Sequence, residues 1–266
     1  MRRPAARRWL NRGLPWILPA LLMLGWYAVG KTGWIPGYLL PQPRRVFAAA
    51  FTYLFAEPGH GAYAGRFLSD FKASFVRVLL GFVLASAFGL PLGILAGRVE
   101  RMSLLFGTSI NALRAVPGIC WLPLALVWFG IGLKTTVFLV ALAAFFPIFL
   151  NAEAGARQVD PTLLQAGAML GTGRLRGTFA VLLPAAMPSI VTGLRLGMGI
   201  SWAYLVLGEL TGVPNGLGAV IMDARMLGRI DIVVVGIILI ALIGRLCDVA
   251  LHLMLKLCFR SARRLA

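Results

Sequence analysis

Charge is scarce in this chain. Of its 266 residues only 13% are Asp, Glu, Lys or Arg, about half the ~25% of soluble domains. A soluble body of this length needs a charged shell around its core. None can be built here, so most of the surface faces lipid. Acids are rarest, nine against 26 basic residues, and the formal charge is +17. Histidine is limited to His60 and His252, and cysteine to Cys120, Cys247 and Cys258, with no CxxC among them. That excludes the usual zinc spacings and a redox pair, and leaves the cysteines as small apolar packers. No paired carboxylates, metal cluster or Ser/His/Asp set is evident, so no catalytic and no metal site is expected. A phosphate loop of the form G-x-x-x-x-G-K-[ST] is missing, and the chain is expected to bind no cofactor. Basic and aromatic residues do not interleave as in a nucleic-acid reader, so no nucleic-acid partner is expected.

What is present is hydrophobic: 59% of residues. Six stretches approach the ~20 residues needed to cross a bilayer. They are Leu14–Val29, Phe75–Gly97, Met102–Leu133, Thr135–Leu150, Pro188–Leu210 and Asp231–Leu255. The first follows an Arg-rich start like a signal peptide, but no A-x-A-like site comes after it, which predicts an uncleaved span. The third has 32 residues and is interrupted by Pro117, Gly118 and Pro123; one kinked span with an irregular outer end is expected. Between the first two runs, Pro36, Pro41 and Pro43 predict an extended lead-in, and Val46–Phe55 a short interfacial helix.

The basic residues cluster beside these runs. Arg2, Arg3, Arg7, Arg8 and Arg12 precede the first; Lys256, Arg260, Arg263 and Arg264 follow the last. Six spans with both termini cytoplasmic place fourteen basic residues inside and eight outside, the positive-inside bias. Anionic membrane lipid is the expected contact of the terminal clusters. The chain divides into residues 1–72, with the basic segment, first span and periplasmic lead-in, and residues 73–266, the main membrane domain.

One cytoplasmic stretch, residues 151–185, is polar and punctuated by glycine. Asp160 is an N-cap and Pro161 suits the first helical position. Helical composition runs over Thr162–Leu170, and Gly171 suits the left-handed stop. Thr172 is placed to cap a second helix over Arg174–Leu182, with Pro184 ending it. The small Ala166 and Gly167 offer a face for close approach by another surface. Taken alone, this helix–turn–helix equally fits an amphipathic hairpin on the membrane surface.

The spacing resembles the "EAA" signature of ATP-binding cassette (ABC) importer permeases: E-A-A, three residues, G, nine residues, I, one residue, L-P. Gln165, Ala166 and Gly167 stand at the first three positions, then Gly171, Val181 and Leu183-Pro184. Gln165 replaces a charged Glu and Gly167 an Ala. Further fragments recur in order: Leu40-Pro41-Gln42-Pro43, Arg77-Val78-Leu79-Leu80-Gly81-Phe82, Leu113-Arg114-Ala115-Val116-Pro117, Trp121-Leu122-Pro123-Leu124, Trp128-Phe129-Gly130, Phe146-Pro147-Ile148, Gly193-Leu194-Arg195 and Gly216-Leu217-Gly218. Together they resemble the nitrate/sulfonate/taurine/bicarbonate branch of that family.

The resemblance implies an all-α integral membrane protein of about six transmembrane helices, the type I (MetI-like) importer permease fold, with a cytoplasmic coupling-helix loop. It implies a multi-pass inner-membrane subunit that translocates a small anion by alternating access and is not itself an enzyme. Two copies would pair, two ABC ATPase subunits carrying ATP–Mg would dock on the loop, and a periplasmic or lipid-tethered solute-binding protein would deliver the solute. Gln165, Ala166, Gly167, Gly171, Leu183 and Pro184 would then couple the chain to the ATPase.

Charges within spans are the remaining candidates. Arg114 and Arg195 either face an anion pathway or are structural, held by carbonyls at a kink or by an acid such as Glu209. Glu209 is a candidate outer-gate residue. Arg245 and Asp248, at i and i+3, are expected to pair. The small residues of Gly193–Gly208 suggest close helix contact at a dimer seam. The alternative function, an ATP-independent secondary transporter or channel, calls for ion-coupling groups or inverted repeats, and leaves the cytoplasmic hairpin unexplained.

Overall fold

A computed structural model describes residues 5–258; the side chains of residues 5–13, 15, 174, 175 and 258 lie outside that description. The terminal basic residues Arg2, Arg3, Arg260, Arg263 and Arg264 are therefore outside it, as are the side chains of Arg7, Arg8, Arg12 and Arg174.

The regular structure of the described residues is helical throughout. In chain order the helices are α1 (Ala5–Thr32), α2 (Pro43–Phe55), α3 (Phe67–Arg98), α4 (Glu100–Ala115), α5 (Trp121–Phe129), α6 (Leu133–Arg157), α7 (Pro161–Met169), α8 (Arg174–Gly177), α9 (Leu183–Glu209), α10 (Leu217–Met226) and α11 (Ile230–Cys258). A 3₁₀ turn, Gly118–Cys120, precedes α5, and a π-turn, Thr178–Leu182, leads into α9. Among the described residues four helices are long and apolar enough to cross a membrane: Phe67–Arg98, Leu133–Arg157, Thr178–Glu209 and Ile230–Leu257. The bent pair of α4 and the Gly118–Phe129 segment makes a fifth if it is one span. Leu14–Val29 falls within α1, and of the six apolar stretches read from sequence only Met102–Leu133 is broken within its length.

Met102–Leu133 is broken by an elbow rather than a gentle kink. Its two halves meet at 82°, a far sharper turn than a proline bend. Pro117 bars its predecessor from helical geometry; Val116 is extended (φ −73°, ψ 118°) and so is Pro117 (φ −55°, ψ 132°). A new helix then starts from Gly118. Pro123 lies in the first turn of α5, where a missing N–H costs no intrahelical bond, so it adds no break.

Contacts divide the chain into two compact units, residues 1–67 with 220–237 and residues 68–219 with 238–266. In the first, Gln42 donates to the Gly30 carbonyl (3.1 Å) and Trp26 Nε1 to that of Pro41 (3.0 Å). Pro43 opens α2, which is amphipathic as expected: Val46, Ala49 and Tyr53 are buried, while Phe47, Phe51 and Phe55 form an exposed stripe at four-residue spacing. Such an aromatic stripe suits the membrane interface.

The second unit is organised around α6. Leu139, Val140, Ala144, Ile148, Phe149 and Ala152 of this helix are completely buried, because α3 and α9 pack on it through glycine. On α3, a Cβ at Gly93 would lie 2.5 Å from the Phe149 carbonyl oxygen, and one at Gly81 2.5 Å from Val140. On α9, Gly193 abuts Asn151, Gly197 abuts Ile148, and Gly208 abuts Thr136. Three glycines of the α9 stripe, Gly193, Gly197 and Gly208, thus make close contact within the chain, while Gly199 has nothing within 4 Å of its Cβ position. In a lipid solvent, tight backbone approach replaces hydrophobic drive as the source of helix affinity.

Candidate functional site

The polar hairpin is built as its capping residues dictate. Asp160 Oδ1 accepts the Thr162 N–H at 2.8 Å and Pro161 follows as the first helical residue. Helix α7 ends at Gly171 (φ +79°). There the Thr172 N–H returns to the Gly167 carbonyl (3.1 Å) and the Gly171 N–H to that of Ala168 (3.0 Å), a complete Schellman stop. The second limb is α8 and the π-turn.

Two expectations are corrected here. Pro184 does not end the second limb: Thr178–Glu209 is a single 32-residue helical segment. The Leu183 N–H bonds to the Thr178 carbonyl, five residues back, and this widened turn accommodates a proline that would clash in a regular helix. Gly167 does not offer an open contact face. It is buried, and a Cβ there would meet Thr172 Oγ1 at 3.1 Å and Val181 Cγ2 at 3.3 Å. The motif's spacing is therefore an internal contact, Val181 of the second limb lying over Gly167 of the first.

The outer surface of the hairpin belongs to other residues. Gln165 and Ala166 are exposed, and Met169 (87%) and Leu170 (85%) stand almost free at its tip. At its base Arg157 bonds Glu153 (2.6 Å) and the Ser103 hydroxyl (2.5 Å), tying α6 to α4.

The Asp160 carboxyl is held below its ordinary value of 3.8 by its bonds to Thr162. A depressed folded value means that the cap's contribution is present above the unfolded value and lost as pH falls through the folded one. Protection of the Thr162, Leu163 and Leu164 amides, measured against their intrinsic exchange rates, is expected to fall on acidification below pH ~3.8, and to be lower at every pH in Asp160→Ala. Asp160→Asn, which caps without a charge, is expected to keep the protection and remove its pH dependence.

The candidate charges within the spans meet different partners. Arg195 forms a two-point pair with Asp248 (2.8 and 2.9 Å), and Arg245 reaches the same carboxylate at 2.8 Å. The expected Arg245–Asp248 pair exists, but it is shared, and Asp248 rather than Glu209 is the acid that holds Arg195.

Glu209, fully buried, pairs with Arg77 at 2.6 Å. Its carboxylate lies 2.8 and 3.0 Å from the Ser74 hydroxyl and accepts the Gly218 N–H at 2.8 Å. Arg77 also donates to the Asn215 carbonyl (2.7 Å) and side chain (3.1 Å). The Gly216 N–H reaches Asp70 (3.1 Å) and the Leu217 N–H the Ser74 oxygen (2.8 Å). The Gly216-Leu217-Gly218 turn thus lays three consecutive amides onto a buried polar cluster joining α3 to the end of α9. Gly216 is obligatory, with φ +135° and space for a Cβ only 2.5 Å from Glu209. Sequence reasoning did not join Arg77 to Glu209; its available signal was that Arg77 and Gly216-Leu217-Gly218 both lie in recurring fragments.

Arg114 ends α4 at the elbow. It is exposed and lines a cavity of about 630 Å³ between the elbow, α6 and α9, together with Trp121, Asn151 and Tyr204. The lining contains no acidic residue.

Residues 89–257 match the family of the binding-protein-dependent transport system inner membrane component. The aliphatic sulfonates transport permease protein SsuC of Bacillus subtilis is 36% identical over 249 residues, covering 93% of this chain and 86% of that protein. The taurine transport system permease protein TauC of Escherichia coli is 34% identical over 233 residues, covering 88% and 84%. A chain of the MetNI methionine ABC transporter, crystallised in inward-facing conformations, superposes with a TM-score of 0.57 at 20% identity, over 69% of this chain and 95% of that one; it shares the fold. With a capped polar hairpin fused to a long apolar helix, and with these relatives along nearly its whole length, the chain belongs to the binding-protein-dependent inner-membrane permeases and is the transport subunit of an ABC importer whose ATPase is a separate partner.

Proposed function

We propose that two copies of this chain form the pathway of an importer for a small oxyanion, an organosulfonate such as taurine or a nitrate-like solute. Two ATPase subunits, carrying ATP–Mg, dock on the 160–184 hairpin, and a solute-binding protein delivers cargo from the opposite face. Both termini are cytoplasmic. The observation that carries this reading is mechanical. The hairpin is capped at both ends of α7, and its second limb runs unbroken through the π-turn into the 32-residue segment Thr178–Glu209. A push on the exposed Gln165, Ala166, Met169 and Leu170 is transmitted to α9, and through its glycine contacts to α6, rather than absorbed in a loose loop. Gly171, Leu183 and Pro184 act by shaping this lever, and Gly167 by seating its two limbs.

The test is ATP-driven uptake in vesicles holding the permease, its ATPase and its binding protein. Met169→Asp/Leu170→Asp is expected to lower uptake by about 100-fold, the effect of losing an apolar anchor from a docking centre, with normal membrane insertion. Wild-type uptake by vesicles without the ATPase, or unchanged uptake in the double variant, would overturn the reading.

A further inference from the structure

We propose that the elbow cavity is an organosulfonate-binding subsite within the permease itself; this rests on the importer reading above. Its polar side joins three donor-bearing side chains to a single amide. Arg114 contributes a guanidinium with no ion pair among the described residues. Trp121 contributes an indole Nε1–H that is shielded from solvent yet has no acceptor. Tyr204 adds a hydroxyl, and Asn151, whose amide nitrogen is committed to the Pro147 carbonyl at 2.8 Å, is the fourth polar group. A buried N–H without an acceptor is costly, and an oxyanion oxygen beside Arg114 is the acceptor that the Trp121 indole lacks.

The rest of the wall is apolar, with Leu142, Phe146, Leu196 and Ile200 facing the same space. At about 630 Å³ the cavity is far larger than a bare inorganic oxyanion needs, since one water takes only ~30 Å³. It falls within the ~300–1,000 Å³ of small-molecule sites that pair a few polar groups with an apolar wall. The match is to an amphiphilic anion, with its sulfonate on Arg114 and Trp121 and its carbon tail against α6 and α9. Helix-end stabilisation accounts for a basic residue in the last turn of α4. It does not account for the unsatisfied indole or for the lack of any acid in the lining.

The elbow itself builds this site. A Cβ at Gly118 would collide with the Tyr204 hydroxyl and ring, so only glycine admits Tyr204 to the cavity wall. The 82° turn at Val116-Pro117 brings Arg114, at the end of one helix, and Trp121, at the start of the next, to one space.

The experiment uses the complete importer in nanodiscs, with hexanesulfonate and nitrate as probes. Calorimetry without binding protein measures the subsite directly, and vesicle uptake measures its use. Hexanesulfonate is expected to bind more tightly than nitrate. Arg114→Gln is expected to weaken hexanesulfonate binding and uptake by about 10- to 100-fold, the range of a charge-assisted hydrogen bond, with Arg114→Lys retaining part. Ile200→Trp, which fills the tail space, is expected to lower hexanesulfonate uptake while sparing nitrate. Wild-type hexanesulfonate binding in Arg114→Gln, or an unchanged hexanesulfonate-to-nitrate ratio in Ile200→Trp, would overturn the subsite. The importer reading is judged separately, by ATP-driven uptake in the unmodified complex.

Discussion

Glu209→Ala is expected to produce the largest loss of stability of any single truncation in the membrane unit. The variant leaves the Arg77 guanidinium buried without its counter-ion and frees the Ser74 hydroxyl and Gly218 N–H at the same time. Removing one partner of a buried pair costs about 3–5 kcal/mol, chiefly because the other charge stays unsolvated. Arg77→Ala is expected to be similarly damaging and to loosen Asn215 as well. The informative control is the double replacement Arg77→Met/Glu209→Leu. If the stranded charge is the cause, the double variant is more stable than either single one. Thermal denaturation in detergent, followed by monodispersity, checks this ordering. A Glu209→Ala protein that melts with the wild type would show that the cluster contributes nothing to the fold.

Gly93→Leu is the second. Any side chain at this position starts with a Cβ 2.5 Å from the Phe149 carbonyl oxygen and 2.8 Å from the Ala152 methyl. The obstacle is helix backbone, so no rotamer change relieves it, and α3 must part from α6. Overpacking ordinarily costs about 1–3 kcal/mol. Here the cost falls at the upper end or beyond, because in lipid the lost helix–helix contact has no hydrophobic drive to restore it. Gly197→Leu, against Ile148 at 2.9 Å, opens the other side of α6 and is expected to behave alike. Gly199→Leu is the control on the same helix as Gly197, with nothing within 4 Å of its Cβ, and is expected to be nearly neutral. Folded yield after extraction and the thermal midpoint separate these cases; equal behaviour of Gly93→Leu and Gly199→Leu would contradict the packing account.

Local chemistry was legible wherever one residue governs one short segment. Asp160, Pro161 and Gly171 mark the ends of α7 because capping depends on neighbours within a turn. Helix α2 was legible from the apolar Val46–Phe55 stretch, while Pro43, read as part of an extended lead-in, is instead its first residue. Pro184 misled because its effect depends on the turn before it, where a π-turn removes the clash that would have stopped the helix. Pro117 misled in the opposite sense: a proline kink was foreseen, but the extended Val116 turned it into an elbow. Gly167 was taken as contact surface because smallness alone does not tell whether the neighbour is another subunit or the same hairpin.

The sequence by itself determined that the chain is a lipid-embedded helical protein, where its apolar segments fall, and that it carries a capped hairpin spaced like an importer's coupling loop. These follow from composition, period and capping, which act over a few residues at a time. Only the tertiary structure decided the partners of its charges. Arg77 and Glu209 are 132 positions apart, and Arg195 and Asp248 are 53 apart. With so few acids in a low-dielectric solvent, each buried arginine must find one, but which one depends on how helices separated in sequence pack. The same packing set the glycines of α9 against α6, and folded Arg114, Trp121 and Tyr204 around one cavity.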